Sequence, residues 1–203
     1  MQRRIDIHRN RAGRGGAGES PSKEAAHRTD ELLGRLASRG WTVISDVDSR
    51  RGIDHVVVGP GGLFVIASHK PASGAARVKD GVVWLRRGVD ARGDRPGVAI
   101  NRSVLDAARA VHREVRVRTG RGPWVHPVVV LWCEFPQRVA ESKQIAFVHG
   151  RDLVQWLTAR PEEIDEPARG EIVNALHGVA GAGAGLGRHR WRAPHIGGRR
   201  RAA

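Results

Sequence analysis

Cysteine, tyrosine and long apolar runs are scarce or missing in this chain. Its 203 residues include one cysteine, Cys133, and no tyrosine. A lone thiol excludes an internal disulfide framework and fits a reducing compartment. The longest apolar stretch is VVVLWC, 128–133, far short of the roughly 20 residues a membrane-spanning helix needs. The first residues, MQRRIDIHRNRAGRGG, carry charge around no apolar core, so no secretory leader is expected in them. These absences together predict a cytoplasmic protein.

Signatures of familiar chemistry are equally scarce. The ten histidines form no His-x-x-x-His pair, and there is no Cys-x-x-Cys, so a zinc site has no sequence support. His112, His126 and His149 read as packed or surface residues. No Gly-x-Ser-x-Gly elbow is present. The run GAGAGLG, 181–187, follows a helical segment and lacks Gly-Lys-Ser/Thr. It reads as a flexible linker rather than a phosphate-binding loop.

Positive charge is abundant. Lysine and arginine number 35 against 21 acids, a net +14, and the pI is about 11.5. An anionic partner is the first expectation. Residues 1–21 carry +3 and residues 187–203 carry +6, so most of the excess lies in two terminal segments. The second contains RHRWR, 188–192. Arg188, Arg190, Arg192, Arg199, Arg200 and Arg201 are candidate phosphate contacts, and Trp191 a candidate base-stacking group. Both segments lack hydrophobic period and are expected to be disordered.

Between them lies one α/β domain. The expected division is a tail over 1–21, a domain over 22–180, and a linker with a basic tail over 181–203. Ala25, Leu32, Leu33 and Leu36 fall at helical spacings, with Gly40 as a stop. WTVISD (41–46), IDHVVVG (53–59), GLFVIASH (62–69) and VVWLRR (82–87) read as strands. Val104, Leu105, Ala108, Val111 and Val115 make an amphipathic helix, with Asn101 or Ser103 as candidate N-cap and Gly120 as terminator. VHPVVVLWC (125–133) reads as a central buried strand, QIAFVHG (144–150) as another, and two helices follow over 151–159 and 168–179. The order predicts a mixed central sheet flanked by helices.

The informative stretch is IDHVVVGPGGLFVIASHK, 53–70. It reads as a hairpin with Asp54 at the start of the first strand. Such a hairpin supports metal-dependent phosphodiester cleavage when a second acid and a lysine follow on the next strand. The two acids hold Mg²⁺, a hard cation that takes oxygen ligands, and the lysine stands beside the attacking water or the phosphate charge.

The span from about Ser22 to about Leu176 resembles the nuclease-related domain family. The resemblance rests on RGWTVISDV, IDHVVVGPGGLFVIASHK, HPVVVLWC and FVHGRDLVQWL in that order. It implies a restriction-endonuclease-like core, α-β-β-β-α-β, with a paired-acid and lysine site. The chain departs from that site. Where the family continues Val-Ile-(Glu or Asp)-x-Lys, Val65 and Ile66 are followed by Ala67, Ser68 and His69. The family's helical Gly-Glu pair, aligned on Thr29, falls on Ala25 and Ala26.

Asp54 is the one clean match. Two repairs stay open. The register can slip so that Ser68 and Lys70 form the pair, or Glu24 or Asp106 can supply a second carboxylate. Asp54, His69 and Lys70 are the candidate catalytic positions, and Asp54 with Glu24 the candidate metal ligands. Asp54 can also be a hydrogen-bonded acid at a strand end. The expected function is nucleic-acid binding, DNA foremost, on a nuclease-related fold with an impaired site and no cofactor. The alternatives are a divergent Mg²⁺-dependent endonuclease and a protein-interaction module.

Overall fold

The computed structural model describes residues 21–48, 53–71, 74–86 and 93–181. Both terminal segments, with their arginines and Trp191, lie outside the described residues.

The elements, in order, are α1 (Pro21–Leu33), β1 (Thr42–Asp48), β2 (Ile53–Gly59), β3 (Gly62–His69), β4 (Ala76–Lys79), β5 (Val82–Leu85), β6 (Arg95–Pro96), α2 (Val98–Thr119), β7 (Val125–Leu131), β8 (Val139–Glu141), β9 (Ala146–His149), α3 (Leu153–Thr158) and α4 (Glu166–Gly181). A 3₁₀ turn, Gly34–Arg39, extends α1 and ends at Gly40 in the left-handed conformation. The six-stranded sheet runs β1-β2-β3-β7-β9-β8. β1, β2 and β3 form an antiparallel meander. β3, β7 and β9 are parallel. β8 closes the far edge antiparallel to β9. The expected mixed sheet with flanking helices is the observed architecture.

Two apolar layers sandwich this sheet. One face packs on α2 and α4 through Val56, Val65, Ala67, Val129, Val111 and Ile172. The other packs on α1 and α3 through Leu33, Val57, Phe64, Ile66, Val130 and Leu157. β7 therefore reads as an unbroken apolar run because consecutive residues serve opposite cores. Val128, Val129, Val130 and Leu131 are all fully buried. Gly59, at the end of β2, is fixed by the aromatic layer: a Cβ there would stand 2.0 Å from Trp41 Cε3.

Several expectations need correction. Neither Asn101 nor Ser103 caps α2, which begins earlier at Val98 with Gly97 as its N-cap residue. The Gly97 carbonyl accepts from the Ile100 and Asn101 N–H groups, and its own N–H donates to Val83 O at 2.7 Å. The Asn101 side chain instead donates to Gly81 O at 2.7 Å. The strand at 82–85 does not extend the meander. It forms a separate three-stranded sheet, β4-β5-β6. β4 escaped notice because ARVK offers only two apolar residues. Asp80 and Gly81 both take positive φ, 53° and 71°, the geometry of a tight type I′ hairpin turn between β4 and β5. β8 escaped for its three-residue length.

Among the described residues, no helix is long and apolar enough to cross a membrane.

Candidate functional site

Strand alternation sorts the end of β3 into two environments. Leu63, Val65 and Ala67 face the α2 core. Phe64 and Ile66 face the α1 core, and Ser68 and Lys70 continue that side, where their side chains meet α1. Ala67 is 1 % exposed and packed among apolar side chains. The position read as the lost second acid is thus a core position. His69 is half-buried, and burial holds its imidazole below the ordinary histidine range. It is a neutral group near neutral pH, not a stand-in for a lysine.

The α1 side carries the polar chemistry. Thr29 lies on the buried stripe of α1 with Ala25 and Leu33. Its hydroxyl donates to Ala25 O and accepts from Ser68 Oγ and Trp132 Nε1, each at 2.9 Å. One donor and two lone pairs are all a threonine hydroxyl has, so it is saturated. Trp132 keeps its place because Gly150 lies flat against it: a Cβ on Gly150 would stand 2.4 Å from the indole. One buried hydroxyl thereby ties α1, the end of β3 and the residue following β7.

Charged groups line the rim of this layer. Glu24, in the first turn of α1, accepts from Lys70 Nζ at 2.6 Å through one oxygen and from Arg28 at 2.6 Å through the other. The Lys70 hydrogen bond is the main reason its carboxyl sits below the ordinary range, against an opposing effect of burial. Arg28 also lies over the Trp132 ring, 5.7 Å from its centroid. Asp54 accepts the Ser68 backbone N–H at 2.6 Å. That backbone donor lies beyond the last paired residues of the β2–β3 ladder, His55 and Ile66, and the carboxylate serves it.

Further along α1, Asp30 Oδ1 accepts from Ser45 Oγ at 2.5 Å and lies 3.3 Å from Nε2 of the buried His55. The His55 hydrogen bond, then that of Ser45, holds the Asp30 carboxyl down at about 2.

The structure brings Glu24, Ser68 and Lys70 together and joins Asp54 to them through the Ser68 backbone. It does not bring in Asp106, which is exposed on α2 and paired with Arg109 at 2.9 Å. Thr29, Asp30, His55, Arg28 and Trp132 are not among the candidate site residues that the sequence supplies. One signal was available for Thr29, a polar residue on an apolar stripe. The others depend on contacts between distant segments.

The donors present do not fit the Mg²⁺ that the family pattern implies. Such a site uses one or two carboxylates together with waters and substrate phosphates. Here Glu24 is held by two cations, Asp54 accepts a backbone N–H, and the intervening side chain is the Ser68 hydroxyl. Among the described residues no three of the His, Cys, Asp and Glu side chains are grouped so as to hold a metal ion.

The nuclease-related domain family model matches residues 16–132. No curated protein and no solved structure matches the chain.

Proposed function

We propose that this chain, which belongs to the nuclease-related domain family, binds nucleic acid, DNA foremost, without cleaving it. The observation that carries this reading is the state of the four charged groups around the end of β3. Lys70 and Arg28 neutralise Glu24, and Asp54 completes a strand end. Ser68 offers a hydroxyl already bonded to Thr29. A hydroxyl carries no charge to offset a divalent cation, and the neighbouring carboxylates have other partners. On this reading the fold is retained, while Glu24 and Asp54, each already partnered, do not serve as metal ligands for hydrolysis.

Binding would come from counterion release. The net charge of +14 favours phosphate contacts without sequence readout. The tail arginines, Arg188, Arg190, Arg192, Arg199, Arg200 and Arg201, and Trp191 are the first proposed contacts.

The test uses the full chain with labelled DNA. Affinity should fall steeply as NaCl rises from 50 to 200 mM, and the DNA should stay intact with or without Mg²⁺. Deleting 1–21 and 187–203 should weaken binding and flatten the salt slope. Mg²⁺-dependent cleavage lost on Asp54→Ala would establish the endonuclease alternative, with Glu24 as the second ligand. Salt-independent or absent DNA binding would point to the protein-interaction alternative.

A further inference from the structure

The outer face of α2 carries a second feature, on the opposite side of the sheet from the Glu24–Lys70 cluster. Val104, Ala107, Ala108, Val111 and Val115 form the buried stripe of this helix. Arg102, Arg109, Arg113 and Arg116 fall within roughly 60° of one another on a helical projection, opposite that stripe. All four are exposed. They run about 21 Å along the axis at 1.5 Å per residue. Asp106 neutralises Arg109. Arg102, Arg113 and Arg116 have no carboxylate partner among the described residues.

The aromatic component follows directly. α2 stops at Gly120, whose N–H returns to Arg116 O. The next residues fold back along the last turns. His112 Nδ1 is 2.9 Å from Pro123 O. A Cβ on Gly122 would lie 3.4 Å from His112 Cε1 and 4.0 Å from Arg116 Cδ. This sets Pro123, the residue before Trp124, against the last turns of α2, and Trp124 itself is 62 % exposed. Val117, in the last turn of α2, is 82 % exposed. Few described apolar side chains are so open.

A favourable interaction with the helix macrodipole accounts for Arg116 in the last turn. It does not account for Arg102 and Arg113, nor for an open indole.

We infer that the Arg102–Arg113–Arg116 stripe and Trp124 form a docking surface for single-stranded nucleic acid, the guanidinium groups holding successive phosphates and the indole stacking on one base. This rests on the nucleic-acid reading above and adds a surface in the folded domain, separate from the tails. A single strand is the occupant because its unpaired bases present open faces to an exposed indole, whereas duplex bases are already stacked on one another. An acidic polypeptide satisfies the arginines but gives Trp124 no planar partner.

The experiment measures anisotropy of a labelled 20-residue oligothymidylate with the full chain, across a NaCl series. Arg102→Ala/Arg113→Ala/Arg116→Ala should weaken binding and lower the salt slope by about 2, at about 0.7 per phosphate contact. Trp124→Ala should weaken binding about 5- to 150-fold with the slope unchanged, Trp124→Phe should recover part of that loss, and binding to a blunt duplex should not change. Circular dichroism should be unaltered, because all four side chains are exposed.

Variants that bind like the unmodified chain would overturn this surface while leaving the nucleic-acid reading intact. An unmodified chain that binds no oligonucleotide or duplex would overturn both. Equal binding of polyglutamate, equally sensitive to Trp124→Ala, would overturn the choice of occupant.

Discussion

Lys70 and Glu24, 46 residues apart in sequence, meet at 2.6 Å between the end of β3 and the first turn of α1. Both side chains are about one-third exposed, so solvent screens the pair and it adds little to stability. Its larger effect is on phosphate binding, because Glu24 cancels a cation that would otherwise face solvent.

Glu24→Gln is therefore expected to leave the melting temperature nearly unchanged and to tighten DNA binding. The salt slope should steepen by up to about 0.9 for a duplex, the increment of one added phosphate contact. Lys70→Ala should move the slope less, since Glu24, shared with Arg28, already offsets part of the lysine's charge. Salt-dependent titrations of the two variants check the asymmetry. Equal effects would mean that Lys70 contacts phosphate despite its carboxylate partner.

Acid stability should depend on Asp30. Its carboxyl is held down at about 2, first by His55 and then by Ser45. A depressed folded value stabilises the protein above the unfolded carboxylate pKa, near 3.9. That contribution is lost as pH falls from about 4 toward about 2. Half of the Asp30 side chain is exposed, so the contribution is modest. Asp30→Asn should flatten the loss of stability across this window and leave any loss from other groups in place. Urea unfolding at a series of pH values from 2 to 7 reads the difference.

Thr29→Val keeps the shape of the residue and removes its hydroxyl. The indole N–H of Trp132 and the hydroxyl of Ser68 would lose their shared acceptor in a buried layer. Destabilisation of about 1–3 kcal/mol is expected, the usual consequence of leaving a buried donor unpaired. Thr29→Ser should recover most of it. Denaturant midpoints compare the three chains. A neutral Thr29→Val would show that the hydroxyl is not the tie between α1 and the sheet.

How far the sequence discloses all this depends on the range of the interaction. Period-two alternation is local, so it correctly puts Lys70 on the opposite face from Ala67 and His69. The continuous apolar run at 128–131 is local too, and it marks β7 as buried on both faces. The sequence does not disclose which face of β3 meets apolar helix and which meets Thr29. That depends on α1 docking 39 residues away from Ser68. The start of α2 was misplaced because Gly97 caps through its backbone and through β5, while Asn101 and Ser103 carry the side chains that usually signal a cap. Glu24 was legible as a nearby acid. Its pairing with Lys70 was not, because it joins residues 46 apart in sequence and depends on how α1 docks on the sheet.

The faces of β3 decide where a carboxylate can be restored. The linear motif points to Ala67, but Ala67 is 1 % exposed among Val65, Val129 and the α2 side chains. Ala67→Glu would bury an unpaired carboxyl in an apolar layer, costing several kcal/mol or forcing it to stay protonated. It should therefore unfold or precipitate the protein without creating a metal site. Ser68 faces the polar layer, its N–H already bonded to Asp54 and its hydroxyl to Thr29. Ser68→Asp would put a second carboxylate on the Glu24–Lys70 side, on the residue whose backbone N–H Asp54 accepts. A Ser68→Asp chain should stay folded and gain Mg²⁺ binding that calorimetry detects and the unmodified chain lacks. Adding Glu24→Ala should remove the gain. If Ala67→Glu folded and bound Mg²⁺ while Ser68→Asp did not, the site would lie on the α2 face, and Asp54 with His69 would be its remaining parts.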